Sequence, residues 1–581
     1  MSETSSRTTA WQTAAEELAA LRTLWPKEVP HRPAELAAGA GLAETIQHWA
    51  RTRPDAVAVS YYGWQATWSD VERRVGALAG WLSHRGVGVG DRVGVYMGNS
   101  PQYFESFAAI AWLGAVYVPI NPMYKAEELR YQLEDSGAIH LIAATQLQKT
   151  VDTVLPELGH EVSVTWTDPA AVFLESGTPE PAPGLPISVP SAETAGDWAT
   201  VLETSPVPPV PSDPDRLAAL NYTGGITGRP KGCEHTLGHM AYTAAASAAG
   251  MGKTSTSSTR DVSLGFLPMF WIAGQNLGLL LPLYSGGEVA IMNRWNPRVA
   301  LRAIHDRGVT RLAAPAEGYD EMLQLLATDE FADVDISSLE QSQALSLSRK
   351  LDIDLRERWH AQTGLTLREA SYGMTETHTS DTFTLGLQDD NRDLRAEPVY
   401  CGYPVPGTNI VVVDEDLNPV PVGQEGEILV NSPSVLTGYW RNPTATADTL
   451  IDGWLRTGDT GRFDEVGALT YLARTKEMIK VNGMSAFPSE IEALLRMHPD
   501  VDTVAVAPRE DQAKGQVPVA FVIPTPGAQP DAEELTAWAK ENMAVFKVPE
   551  FVFVDQMPMT ATGKIRKTEL VEQVDQLTRA N

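Results

Sequence analysis

Residues 222–232 read Tyr-Thr-Gly-Gly-Ile-Thr-Gly-Arg-Pro-Lys-Gly and follow an apolar, strand-like segment, Leu-Ala-Ala-Leu-Asn-Tyr at 217–222. Glycines let backbone N–H groups turn inward and approach an anion, and the Thr and Lys side chains add donors and charge. The pattern reads as a loop that holds phosphates. It is not a Walker A loop, because no Gly-Lys-Ser/Thr closes it. Taken alone, a Gly-rich turn between strands is the bland alternative. A strand running into an anion cradle points to a nucleotide-handling enzyme.

The remaining sequence narrows the class. At 581 residues the chain is too long for one core, so two or more domains are expected. Hydrophobic residues make up 43%, as in a globular rather than a disordered protein. A formal net charge of −29 argues against nucleic-acid binding and against docking on anionic membranes. The two cysteines, Cys233 and Cys401, exclude a disulfide framework and a Cys-rich zinc site. Cys233 directly follows the glycine-rich run, but no His–Cys signature surrounds it, so it reads as a packed residue. No apolar run of bilayer-spanning length and no signal-peptide core is present, so a cytoplasmic enzyme without membrane insertion is expected.

Helices and short β segments alternate from residue 42. Residues 57–61, 91–96 and 115–119 read as strands and 68–84 as a helix, which implies an α/β domain with largely parallel sheets. Before that, Trp11, Leu18, Leu21 and Trp25 recur at roughly helical spacing until Pro26, which predicts an amphipathic helix packed on the body. Residues 176–215, rich in Pro, Ser, Thr and Glu, read as a surface loop leading to the glycine-rich run rather than as a domain linker. The second half is richer in strands, at 409–414, 426–431 and 468–473. A boundary is expected near 474–476. After it, helices at 488–497 and 531–543 and strands at 503–508, 518–524 and 551–555 suffice for a small α+β domain. No internal repeat is visible.

Four further motifs follow the loop in order. Ser-Tyr-Gly-Met-Thr-Glu at 371–376 offers an aromatic face for stacking and a hard carboxylate for Mg²⁺, although a capped helix start reads the same way. Gly-Trp-Leu-Arg-Thr-Gly-Asp at 453–459 is by itself a turn. Residues 473–483, Ala-Arg-Thr-Lys-Glu-Met-Ile-Lys-Val-Asn-Gly, could be an ordinary charged edge strand. Near the end, Met-Pro-Met-Thr-Ala-Thr-Gly-Lys-Ile-Arg at 557–566 places a lysine in a polar turn, normally plain surface.

Together these five motifs resemble the adenylate-forming superfamily of acyl- and aryl-CoA ligases, peptide-synthetase adenylation domains and luciferase-like enzymes, over residues of about 42–570. The resemblance implies a large N-terminal domain of stacked α/β subdomains with a β-rich subdomain, and a small mobile α+β C-terminal domain. Its expected bounds are a helical extension at 1–41, an AMP-binding domain at 42–474 and a lid at 475–581. It also implies a function: an ATP-dependent ligase that adenylates a carboxylic acid and passes the acyl group to CoA, with Mg²⁺. By the family pattern, Lys564 is the catalytic lysine of adenylation, and Glu376 and Thr227 take part with the metal. Thr223, Gly224, Gly225, Gly228, Lys231, Tyr372, Thr375, Asp459 and Arg474 hold the nucleotide. Lys480 and Gly483 line the pantetheine path, and Lys476 is the hinge. Trp271, Gln343, Ala344 and Gly373 fall by the acid pocket. A homodimer is compatible with the resemblance, since dimers are common in the family.

Several positions depart from the pattern. Gly224 and Ile226 stand where hydroxyl residues are usual, Ala473 where Gly or Asp is, and Trp271 where His is. Gln343 and Leu345 are larger than the usual small residues. The bulky Trp271 and the amide of Gln343 motivate an aromatic, cyclic or medium-to-long aliphatic acid. The weakened loop motivates two rivals. One is adenylation with another acceptor, such as a carrier-protein thiol or nitrite in a diazotase-like reaction. The other is a member that only thiolates or binds a preformed acyl-adenylate.

Overall fold

The computed structural model describes the chain except residues 1–2, 34–40, 176, 179–180, 182–184, 186, 224–229, 253–259, 347–349, 379, 397–398, 475–477, 482–483, 487, 512–513, 544, 560–564 and 581. Two sheets share one core. In the first, strands run in the order Ser163–Thr167, His140–Ala144, Arg92–Tyr96, Val116–Ile120, Leu217–Tyr222 and Gly232–Thr236. Its pairs are parallel except the last, which is antiparallel. In the second the order is Arg368–Glu369, Gln341–Leu345, Arg311–Pro315, Val262–Gly265, Glu288–Ile291, Val57–Tyr61 and Trp64–Thr67. Again only the terminal pair, Val57–Tyr61 with Trp64–Thr67, is antiparallel.

The helix Pro101–Trp112 shows why the two sheets come together. Ser100 caps it by accepting from Tyr103 N–H at 3.1 Å, and Pro101 starts it where a missing donor costs nothing. All its residues but Ala111 are buried. A helix buried all round must be covered on both sides, with its one charge, Glu105, paired to Arg74 at 2.6 Å. One hydrophobic cluster accordingly joins Phe104, Phe107 and Ile110 to Val93 and Tyr117 of the first sheet and to Val59 and Val289 of the second.

A third, antiparallel sheet orders Thr382–Phe383, Val399–Pro404, Leu469–Arg474, Trp454–Phe463, Gly426–Asn431 and Asn409–Val413, with Leu450–Ile451 on its flank. The N-terminal helix, Glu3–Ala20, lies against it. Trp11 is fully buried among Val411, Val413, Leu429 and Trp454, and its indole donates to the carbonyl of Leu417 at 2.9 Å. The helix stops at Ala20, short of the expected Pro26. Trp25 is packed from a turn instead, stacked on Tyr403 at 5.9 Å. The described part of 176–215 crosses the first core, where Val207 and Val210 N–H groups donate to Gly76 and Trp112 carbonyls. A fourth sheet carries Met484–Ala486, Ile479–Val481, Gly515–Pro524 and Val501–Asp511, with Glu550–Phe553 parallel to Gly515–Pro524. The passage between the third and fourth sheets thus falls between Arg474 and Ile479.

Candidate active site

The glycine-rich run connects two antiparallel strands. Tyr222 pairs with Gly232 and Asn221 with Cys233, so a hairpin presents the run at its tip. The neck is closed by two hydrogen bonds: Thr223 N–H to the Lys231 carbonyl at 3.0 Å, and Lys231 N–H to Thr223 Oγ1 at 3.2 Å. The tip itself, with Gly224, Gly225, Ile226, Thr227 and Gly228, lies outside the described residues. Beside the neck, Tyr222 donates its hydroxyl to Asp135 Oδ2 at 2.6 Å and fixes the hairpin to the first sheet's flank.

Two small networks face this neck. In one, the Lys231 ammonium sits 4.0 Å above the ring of Tyr439, whose hydroxyl donates to Glu376 Oε1 at 2.9 Å. One tyrosine thereby orients a cation through its ring face and a carboxylate through its edge. In the other, Tyr372 donates to Asp459 Oδ2 at 2.6 Å, and Arg474 Nε lies 2.9 Å from Asp459 Oδ1. Asp459 and Arg474 are direct partners across neighbouring strands, which fixes this pair by register. Asp459 is 2% exposed, whereas the Arg474 side chain is 44% exposed and reaches outward. Burial, and then the Asp459 charge, push the Tyr372 hydroxyl well above its ordinary pKa, so it stays a donor. Burial works against the Arg474 guanidinium, but Asp459 and the neighbouring charges outweigh it and raise its pKa. The Tyr372 ring stacks on Tyr471 at 6.1 Å and 30°.

Beneath these residues lies a buried histidine group absent from the sequence reading. His235 Nε2 bonds the Thr375 carbonyl at 2.8 Å, and its ring meets His378 at 4.7 Å and His239 at 5.7 Å, edge to face. Burial first, and then the neighbouring rings, pull His235 well below its usual pKa and His378 down to about 3. Burial alone takes His239 to about 4. Neither nitrogen of His378 has a hydrogen-bond partner among the described residues. His378 holds φ at +57°, a conformation asparagine tolerates.

This arrangement has a pH signature. A histidine with a lowered folded pKa contributes stability at neutral pH that is lost as pH falls through its unfolded value, near 6.5. Nearby Asp381 and Glu369, whose carboxyl pKa values are raised by burial, titrate with the opposite sign. The difference between proteins is therefore the informative quantity. Between pH 6.5 and 5, His378→Asn should lose about 2 kcal/mol less unfolding free energy than the parent, read from denaturant curves. Parallel pH profiles would refute a neutral, buried His378.

Cys233, also buried here, has its thiol pushed well above its usual pKa by burial and then by Glu376, which suits a packed residue and not a nucleophile. Gly373 is exposed beside Tyr372, and Thr375 is half-buried.

A small cavity opens among the strands Val262–Gly265, Arg311–Pro315 and Gln341–Leu345 and the helical segment that follows the first of them, lined by Leu264, Phe266, Leu277, Leu281, Arg311 and Gln343, among others. Gln343 is on its wall. Ala344, one residue on, points to the other face and is fully buried. Trp271 is half-buried at the start of the short helix Ile272–Gln275 and is not part of the lining. The turn that carries it is pinned by Asn99. The Asn99 amide donates to the Phe266, Leu267 and Met292 carbonyls at 2.9–3.2 Å and accepts from Met269 N–H at 2.8 Å. No motif marked Asn99, Tyr439 or the histidines; each acts across a long sequence separation. Lys480 lies in the strand Ile479–Val481, with only its backbone described; Gly483, Lys476 and Lys564 are outside the described residues.

Residues 46–440 match the family model described as AMP-binding enzyme, and residues 490–564 match its C-terminal domain. A feruloyl-CoA synthase of Amycolatopsis sp is 32% identical over 533 residues, covering 91% of this chain and 98% of that protein. A long-chain-fatty-acid–CoA ligase of Bacillus subtilis is 29% identical over 562 residues, covering 94% and 97%. Among solved structures, ATP-bound MatB from Rhodopseudomonas palustris superposes with a TM-score of 0.77 at 25% identity, covering 92% of this chain and 99% of that one. The anthranilate CoA ligase AuaEII in complex with anthranoyl-AMP gives a TM-score of 0.75 at 25% identity, covering 93% and 98%.

Proposed function

The chain belongs to the AMP-binding enzyme family and is an acid–thiol ligase, and we propose that its two networks at the hairpin neck hold the nucleotide for an ATP-dependent acyl-CoA ligation of a bulky carboxylic acid. The observation that carries this reading is the convergence of Tyr372, Asp459 and Arg474 with Lys231 and Glu376 around one hairpin, from four separate stretches of sequence.

In this reading the adenine stacks near Tyr372, and Asp459 accepts from the ribose hydroxyls. Arg474 reaches ribose and phosphate from its exposed position. Lys231, Thr223 and the glycine-rich tip take the phosphates. Glu376 suits Mg²⁺: it is a hard oxygen donor whose Oε1 is oriented by Tyr439, at a neck that faces the phosphates. A metal held there would offset phosphate charge. The substrate carboxylate attacks the α-phosphorus, the bond to the bridging oxygen breaks, and pyrophosphate leaves. Lys564 bridges the two anions and lowers the barrier electrostatically. The lid then turns about Lys476, withdraws Lys564 and presents the segment of Lys480 and Gly483. The thiolate of CoA attacks the acyl carbon, and the C–O bond to AMP breaks.

Incubation with ATP, Mg²⁺ and a panel of acids, with and without CoA, tests this. Pyrophosphate release with a matching acid, and thioester only when CoA is added, are the expected results. No pyrophosphate with any acid would sink adenylation, and pyrophosphate without thioester would move the acceptor away from CoA. Trp271→Ala should shift acid preference toward larger acids by about tenfold in relative kcat/KM. An unchanged ranking would remove Trp271 from substrate selection.

A further inference from the structure

We propose that the acyl cavity ends in a polar floor, built around Arg311 and Gln343, that selects acids bearing an oxygen acceptor at the end remote from the reacting carboxylate. This rests on the ligase reading and names its substrate class.

Strand register orients the cavity. Arg311 pairs with both Ser263 and Gln341, and Ala313 with Gln343, so these side chains share one face of three parallel strands. The strands' C-terminal ends lead into the turn before Trp271 and, through Arg368–Glu369, into the Tyr372 segment. In parallel sheets the ligand's reactive end sits at that side. Ser263, Arg311 and Gln341 therefore form the distal end, one strand repeat of about 7 Å behind Gln343.

The polar groups there are not used up. Gln341 is fully engaged, donating to the Met251 carbonyl at 2.7 Å and accepting from Arg368 at 3.3 Å. Arg311, 6% exposed, has Nη2 2.8 Å from Asp261 Oδ2, near enough for an ion pair but not aligned for a hydrogen bond. Among the described residues its Nη1 reaches only the sulfur of Met251, and its Nε has no hydrogen-bond partner. The Gln343 side-chain amide also has no hydrogen-bond partner among the described residues, while its backbone carbonyl accepts from Tyr319. Arg368, 4% exposed and level with Gln343, pairs with no carboxylate among the described residues. Arg311 thus keeps donors unused beside Asp261 and Glu340, and the nearby Arg368 donates to Gln341.

An unbranched alkyl chain filling this cavity would bury these donors against methylene groups, which is unfavourable. A hydroxyl, an alkoxy oxygen or a second carboxylate would satisfy them. The walls above, Phe266, Leu277 and Leu281, stay apolar.

Calorimetric titration with matched acids tests this, with pyrophosphate release measured in parallel. The pairs are 3-phenylpropanoic with 3-(4-hydroxyphenyl)propanoic acid, and octanoic with octanedioic acid. At least one oxygen-bearing member should bind about tenfold or more tightly than its parent. A response confined to the phenol assigns a neutral acceptor; one confined to the diacid assigns an anion. In Gln343→Leu the ratio should fall below about threefold, because the oxygen-bearing acid loses a partner and the parent acid no longer buries an unpaired amide. Arg311→Met should do the same. Should that variant fail to fold, Gln343→Leu decides alone. Equal or tighter binding of both parents, no binding of any of the four, or a ratio unmoved by Gln343→Leu would each overturn the inference. Selective binding without pyrophosphate would instead overturn the ligase reading and leave the polar floor standing.

Discussion

Asp459→Ala should lower kcat/KM for ATP by about a hundredfold or more while leaving the fold intact. The carboxylate is buried, holds the Arg474 guanidinium at 2.9 Å and takes the Tyr372 hydroxyl at 2.6 Å. Removing it leaves the buried Tyr372 hydroxyl without its acceptor, which costs on the order of 1–3 kcal/mol, while solvent screens the half-exposed Arg474. The proposed ribose contact is lost with it. Asp459→Asn should be milder at Tyr372, where an amide oxygen still accepts, but not at Arg474, where the charge is gone. Both can be checked by initial rates over a range of ATP, with unfolding curves as a control. An ATP dependence equal to the parent's in a folded Asp459→Ala protein would remove Asp459 from the nucleotide site.

Lys564→Ala should cut acid-dependent pyrophosphate release by roughly a thousandfold, the scale of losing one preorganised charge from a transition state. Thioester formation from supplied acyl-AMP and CoA should stay within about threefold of the parent, since the second step has no pair of anions to bridge. The split between the half-reactions is the informative part. Equal loss of both would contradict a lid that exchanges Lys564 for the Gly483 segment between steps.

How much of this was legible depends on the residue. The strands at 57–61 and 426–431 and the helix at 68–84 follow from apolar periodicity, and the structure places them at Val57–Tyr61, Gly426–Asn431 and Trp68–His84. Thr67 even supplies the capping box that starts that helix. The N-terminal helix was legible through Trp11, but its end was not. Trp25 has helical spacing and is held from a turn by Tyr403 and Phe383, contacts that no local pattern carries. In the site, Tyr372, Glu376, Asp459 and Arg474 stand in motifs. Tyr439, which joins Lys231 to Glu376, and His378, which underlies Thr375, do not.

The sequence by itself determined the chemistry on offer: a glycine-rich anion loop, an ordered set of aromatic, acidic and basic residues, and the family to which they belong. Periodicity and turn chemistry are local, so they survive in one dimension. Only the tertiary structure decided that the glycine-rich run tips a hairpin, that Asp459 and Arg474 meet by strand register, and that Arg311 closes the cavity holding Gln343. Those facts depend on which strands become neighbours and which face each side chain takes. Burying apolar faces such as that of Pro101–Trp112 between two sheets settles both for the whole chain at once.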